Sequence, residues 1–207
     1  MAPKVSEEYK EQKKIEILQA AAIIFGEKGY YSTTMDDLVK ESKMSKGAIY
    51  HYYKSKEEVY EHMLQLQAEQ TIQLLEEKFA MLPFTTEKVG MLFDIYASNK
   101  WLNEPKLNSV RNQLEHWIAG SRAVNREKYE DRSLVFYRFL TKILQQGQES
   151  GEFSKEIDIS NAAKLFWSMI DGILLHGTVL EHSFSYVEVV SMAKEMYITF
   201  LTRGVKE

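Results

Sequence analysis

Three helix starts crowd into residues 34–58, and no other stretch of the chain restricts its fold so tightly. Thr34 precedes Met35-Asp36-Asp37, so its hydroxyl can cap a helix that has an acidic group at the third position. Ser45 opens a second helix after only a few turn residues, and Ser55, followed by Lys56-Glu57-Glu58, is a capping box for a third. Two short helices joined by a tight turn, the second carrying Lys46, Gly47, Tyr50 and His51, predict a helix-turn-helix with a recognition helix.

The flanking residues extend this pattern. In chain order stand Gly29-Tyr30, Thr33-Thr34, Asp37-Leu38-Val39, Ser45-Lys46-Gly47-Ala48-Ile49-Tyr50, Tyr52-Tyr53 and Lys56-Glu57-Glu58-Val59. The run closely resembles the DNA-binding domain of the TetR/AcrR family of bacterial transcription regulators. The resemblance is specific over residues 10–60 and loose beyond them. It implies DNA contacts through Ser45, Lys46, Gly47, Tyr50, His51, Tyr52 and Lys56. The main departure is at the turn, where the family's Ala-Gly is replaced by Ser42-Lys43. A glycine there would relieve a positive φ, so Lys43 is predicted to sit in a mildly strained conformation.

The net charge of −4 at first argues against a nucleic-acid partner, but its distribution matters more than its sum. Residues 40–56 carry Lys40, Lys43, Lys46, Lys54 and Lys56 against Glu41. On a helix of about 100° per residue, Lys46, Gly47, Tyr50 and His51 share one arc beside an inward Ile49/Tyr53 side. Lys46 and His51 can donate to base edges, and Tyr50 can pack on a thymine methyl or donate to phosphate. Tyr52, Lys56 and the helix starts at Thr34 and Ser55 suit phosphate. Gly47 lets a helix approach DNA closely; a place in the first helical turn, where glycine costs little, is the alternative reading.

Helical periodicity continues to the end of the chain, so the expected fold class is all-α. Expected helices cover about residues 10–28, 34–42, 45–53, 55–79, 86–103, 105–120, 125–150, 158–181 and 185–203. Gly29 should end the first, and Gly151 should stop the helix before it, with Glu152-Phe153 resembling a Gly-x-Phe turn common in the family. A three-helix DNA-binding domain over residues 1–55 is expected to precede a ligand-binding and dimerisation domain over residues 56–207. No linker rich in Gly, Pro or Ser separates them, so the fourth helix should connect them mechanically. Leu165, Phe166, Ile170, Leu174, Val189, Met192, Met196 and Phe200 make the last two helices a candidate dimer face, with packing inside the subunit as the alternative.

The larger domain gathers Trp101, Trp117, Trp167, Tyr96, Phe136 and Tyr137. Aromatics at helical spacing usually form core. As a set, with Asp171 among them, they can also line an apolar pocket. The resemblance implies a small inducer there, with Trp101, Trp117, Tyr137, Trp167 and Asp171 as candidate contacts. If Asp171 lies in an apolar pocket, a cationic ligand is favoured, because an unpaired buried carboxylate is costly. A solvated or structurally paired Asp171 is the alternative.

Catalysis has little support. The five histidines show no H-E-x-x-H or comparable metal spacing, and G-x-S-x-G, G-x-G-x-x-G and P-loop patterns are absent. No cofactor, metal or catalytic residue is expected. A helical interaction module without DNA binding would account for the C-terminal half but not for the recognition helix. The chain lacks cysteine, its first residues are polar, and its longest apolar run, Ala20 to Phe25, is too short to span a bilayer. The expectation is a cytoplasmic, dimeric regulator of palindromic operator DNA, most readily a repressor.

Overall fold

Side-chain caps set where most of the N-terminal helices begin. The computed structural model describes residues 6–98, 126–180 and 184–204. Ser6 accepts from the Tyr9 amide and starts α1 (Glu7–Lys28), a little before the expected position because Ser6-Glu7-Glu8 is itself a start signal. Gly29, at φ 77°, ends it and donates its amide to Phe25 O. Thr34 caps α2 (Met35–Ser42) in a complete capping box with Asp37. Ser45 caps α3 (Lys46–Tyr52) by accepting from Ala48 N. Ser55 caps α4 (Lys56–Phe79) through Glu58 N. The box expected at Ser55 is only half made: the Glu58 carboxylate accepts from Lys54 N at 2.6 Å instead of from Ser55 N.

The remaining helices are α5 (Thr85–Ala97), α6 (Arg126–Ser150), α7 (Ile159–Leu180) and α8 (Tyr186–Arg203). No strand occurs among the described residues. The expected helix over residues 105–120 lies outside them. Asp158 opens α7, as expected, its Oδ1 accepting from Asn161 N at 2.7 Å. Helix α5 begins at Thr85, one residue before the expected start, with Phe84 at its N-cap position and no side-chain cap bond. The carboxylate of Glu152, brought in from the α6–α7 turn, accepts from the Thr85 and Thr86 amides at 2.8 Å each and from Thr86 Oγ1 at 2.9 Å.

Two apolar cores result. The first joins α1–α3 to the start of α4, with Ile17, Ala21, Leu38, Ile49, Tyr53 and Val59 nearly inaccessible. Met44 and Val39 pack at its edge. The second joins the end of α4 to α5–α8 around Phe93, Leu140, Phe166, Ile170, Tyr197 and Leu201. Helix α4 contributes Tyr60 and Met63 to the first and Leu75 and Phe79 to the second. Between them, Gln67, Glu69, Gln70, Thr71 and Gln73 are exposed. At about 1.5 Å per residue, this helix is a strut of roughly 36 Å whose two ends are anchored in different cores.

Lys43 sits at φ 57°, ψ 20°, in the left-handed region, and is the non-glycine residue with positive φ among those described. The expected strain at the turn is therefore present. It is the local cost of having lysine where the bend needs a left-handed residue.

Candidate DNA interface and ligand region

The α2–turn–α3 unit hangs on the first core by Leu38 and Ile49, which turns the opposite sides of both helices outward. Ser45, Lys46, Gly47 and His51 are exposed, Tyr50 and Tyr52 half-buried. Gly47 stands second in α3, and a Cβ built there would meet nothing within 4 Å. The arc expected from helical spacing is thus an open surface. The His51 and Tyr52 rings meet edge-on at 5.1 Å, and Tyr52 also packs against the first core.

The basic side chains are not all free to reach outward. Lys46 Nζ lies 2.8 Å from Asp36 Oδ1, with both side chains exposed. This hydrogen bond, first of all, holds the Lys46 ammonium above its ordinary pKa. Lys54 Nζ donates to Tyr50 O at 2.8 Å and so ties off the C-terminal end of α3. Lys56 Nζ donates to Tyr30 O at 2.9 Å and lies 4.6 Å from the Tyr30 ring centre. Lys56 therefore braces the α1–α2 connection, a contact not visible in its sequence neighbourhood. Thr34 is committed to its cap: Oγ1 donates to Asp37 Oδ2 at 2.8 Å and accepts from Asp37 N at 3.2 Å. Lys28 first, then the Thr34 hydroxyl and amide, hold Asp37 well below the usual carboxylate range. Nothing local in the chain marks Asp36, because its partner Lys46 stands ten residues away.

In the larger core, the Trp167 ring is met by Phe136 at 5.5 Å, and by Tyr96 and Tyr137 at 6.4 Å each. Asp171 follows one turn later on α7, and burial pushes its carboxyl up to about 6. Burial, then the charge of Asp171, raises the hydroxyls of Tyr96 and Tyr137. Trp167 Nε1 and the Tyr186 hydroxyl are buried without a hydrogen-bond partner among the described residues. Unsatisfied buried donors are uncommon in native interiors and call for a reason. Tyr137, Trp167 and Asp171 are thus drawn to one region, joined by Tyr96, Phe136 and, next to Tyr96, Tyr186. Trp101 and Trp117 lie outside the described residues. Tyr186 had no sequence signal, since its place here depends on how α8 packs.

The candidate dimer face divides in two. Phe166, Ile170 and Leu174 belong to the subunit's own core, while Leu165, Met192 and Met196 are exposed, together with Val179 and Val187. Hydropathy alone does not tell the two sides of a doubly apolar helix apart. No described helix is long and apolar enough to cross a membrane.

Comparison with known proteins agrees with this geometry. Residues 17–63 match the family described as bacterial regulatory proteins, tetR family, and residues 96–188 match the tetracyclin repressor-like C-terminal domain. The HTH-type transcriptional regulator YfiR of Bacillus subtilis, itself described as uncharacterized, is 28% identical over 199 residues, 96% of each chain. The fatty acid metabolism regulator protein of the same organism is 23% identical over 194 residues, covering 92% of this chain and 96% of the relative. The crystal structure of FadR from Bacillus subtilis in complex with stearoyl-CoA superposes with a TM-score of 0.71 at 20% identity, over 93% of this chain and 99% of that one. With an exposed recognition helix on a capped three-helix unit, and both halves of the chain matching the same family, this protein belongs to the TetR family of helix-turn-helix transcriptional regulators.

Proposed function

We propose that this regulator is a repressor that binds a palindromic operator as a homodimer and is released by a small apolar or cationic molecule. The observation that carries the DNA reading is the open arc of α3, where Lys46, Gly47, Tyr50 and His51 turn away from the core that holds Ile49. One such helix reads too few base pairs for useful specificity, so two copies related by a two-fold axis are needed. The exposed apolar residues Leu165 and Val179 on α7 and Met192 and Met196 on α8 suit a four-helix contact between subunits. Residues 1–55 supply DNA contacts and residues 56–207 ligand binding and dimerisation, with Ser45, Tyr52 and the backbone amides at the starts of α2 and α4 serving the phosphate side of the interface, while the Thr34 hydroxyl and the Lys56 ammonium keep their contacts within the fold.

One experiment tests both parts. Wild type and a Lys46→Ala/Tyr50→Ala variant are sedimented at micromolar concentration and then offered fragmented genomic DNA of the source organism. Both should sediment as dimers, and the variant should retain its best fragments roughly tenfold more weakly, the loss of about one base or phosphate contact. Equal retention would remove α3 from the DNA interface, and a wild-type monomer would refute the dimer.

Ligand release runs through α4. Its Phe79 ring stacks on Phe139 of α6 at 5.8 Å, two residues from Tyr137. A ligand held among Tyr137, Trp167 and Asp171 that displaces α6 would move one end of α4, while the other end carries the DNA-binding unit. Release follows only if the ligand binds the displaced state more tightly. Because burial pushes the Asp171 carboxyl up to about 6, a permanently cationic ligand should bind more tightly as pH rises through that value. Tryptophan fluorescence titrations with quaternary ammonium compounds should show this dependence, and Asp171→Asn should flatten it. A ligand that quenches tryptophan equally in both proteins at every pH would exclude Asp171 from the site.

A further inference from the structure

We infer that Asp36 determines specificity by masking Lys46 and so suppressing binding to non-operator DNA. The inference rests on the DNA-binding reading of α3. Asp36 and Asp37 are adjacent, yet the structure gives them different partners. Asp37 closes the capping box with Thr34 and holds Lys28 Nζ at 2.7 Å. That leaves Asp36 unneeded for the cap. Its carboxylate reaches across the turn to Lys46, the first residue of α3, while both side chains stay exposed.

In a helix-turn-helix, the first helix crosses the phosphate backbone and the N-terminal residues of the second contact base edges in the major groove. Asp36 is the second residue of α2 and Lys46 the first of α3, so their pair stands between these two surfaces. A phosphate approaching there meets a neutralised lysine and a carboxylate. Non-specific binding is almost wholly phosphate electrostatics, so the pairing removes the attraction of about one cation from it. At the operator, Lys46 gains a base-edge acceptor, and this contact offsets the loss of its pairing with Asp36. The carboxylate therefore weakens wrong complexes more than right ones, which is discrimination by a repulsive group.

The test needs no knowledge of the operator. Wild type and Asp36→Asn are titrated with a mixed-sequence duplex at several salt concentrations. Asp36→Asn should bind about three- to tenfold more tightly at low salt, with a salt slope steeper by about one ion. In a Lys46→Ala background the same substitution should give a clearly smaller gain and no change in slope. Asp36→Glu should keep the wild-type slope. A purely structural role would lower affinity or leave the slope alone, since removing a fold contact does not add a cation to the interface. Unchanged or weaker mixed-sequence binding by Asp36→Asn, beside a wild type that binds, would overturn the inference alone. Failure of the wild type to bind any duplex would overturn the DNA-binding reading and this inference with it.

Discussion

A Gly147→Ala variant is expected to lose about 3 kcal/mol of stability, the upper range for overpacking a core. Gly147 lies inside α6, and a Cβ there would come within 2.1 Å of Phe153 Cδ2 and 2.3 Å of Cε2. Such distances require Phe153 to move. It cannot move cheaply, because it is buried at 4% exposure and its amide donates to Gly147 O at 2.9 Å. The turn at Gly151, with φ 81°, folds the chain back so that Phe153 lies over α6. The Gly-x-Phe pattern is thus half of a lock whose other half is a glycine one turn earlier. Ordinarily alanine would be the better helix former at such a position by nearly 1 kcal/mol, so the sign of the effect is itself a test. Thermal unfolding at equal protein concentration should show a midpoint about 6–12 °C lower for a chain of this size. An unchanged or raised midpoint would mean that Phe153 does not occupy that place.

Replacing Glu152 by glutamine should cost about 2 kcal/mol near neutral pH, through donors left without an acceptor. Glu152 Oε1 accepts from Thr85 N and Ser150 Oγ, while Oε2 accepts from Thr86 N and Oγ1. A glutamine offers one oxygen and turns an NH2 group toward the remaining donors. The first turn of α5 is then left with exposed dipoles at its positive end. Burial pushes the Glu152 carboxyl up, but the amides of Thr86 and Thr85, with their hydroxyls, outweigh it and hold it at about 2. A folded-state value below the ordinary 4.5 means that the carboxylate stabilises the fold above that pH. This stabilisation is lost as pH falls from about 4.5 through 2. Urea unfolding of wild type and Glu152→Gln should show the wild-type advantage at pH 7 shrinking steadily below pH 4.5, since the glutamine side chain does not titrate. A gap that stays constant down to about pH 3 would show that the clamp carries no charge-dependent stability.

The features that could be read from the chain are those whose partners lie within one helical turn. Ser45 and its target Ala48, Thr34 and Asp37, and Gly29 with Phe25 are three or four residues apart. Caps of this kind need only residues three or four apart, so the helix-turn-helix is legible from residues 29–59, whereas α5 has no side-chain cap of its own and takes its acceptor from Glu152, 66 residues from Thr86. Lys43 belongs to the same class: the turn requires a left-handed residue whatever surrounds it, and the strain follows from having a Cβ there.

Side chains with distant partners were not legible in this way. Glu152 meets Thr86 across 66 residues, and Lys194 bonds both oxygens of Asp94 at 2.7 Å across 100. Lys56 reads as a phosphate contact by its place after Ser55, yet the fold sets its ammonium on Tyr30 O. On α7, Phe166 and Leu165 are neighbours of similar hydropathy, one inaccessible and one 43% exposed. Asp171 reads equally as solvated or buried until α5 and α6 pack beside it. Where most helices start and stop is written locally in the chain, because caps and turns act over a few covalent bonds; α5, capped by Glu152 from a distant turn, is the exception. Which charge faces which, and which apolar side turns inward, follows from packing alone, because those energies depend on which groups come within contact distance, and separation along the chain does not encode it.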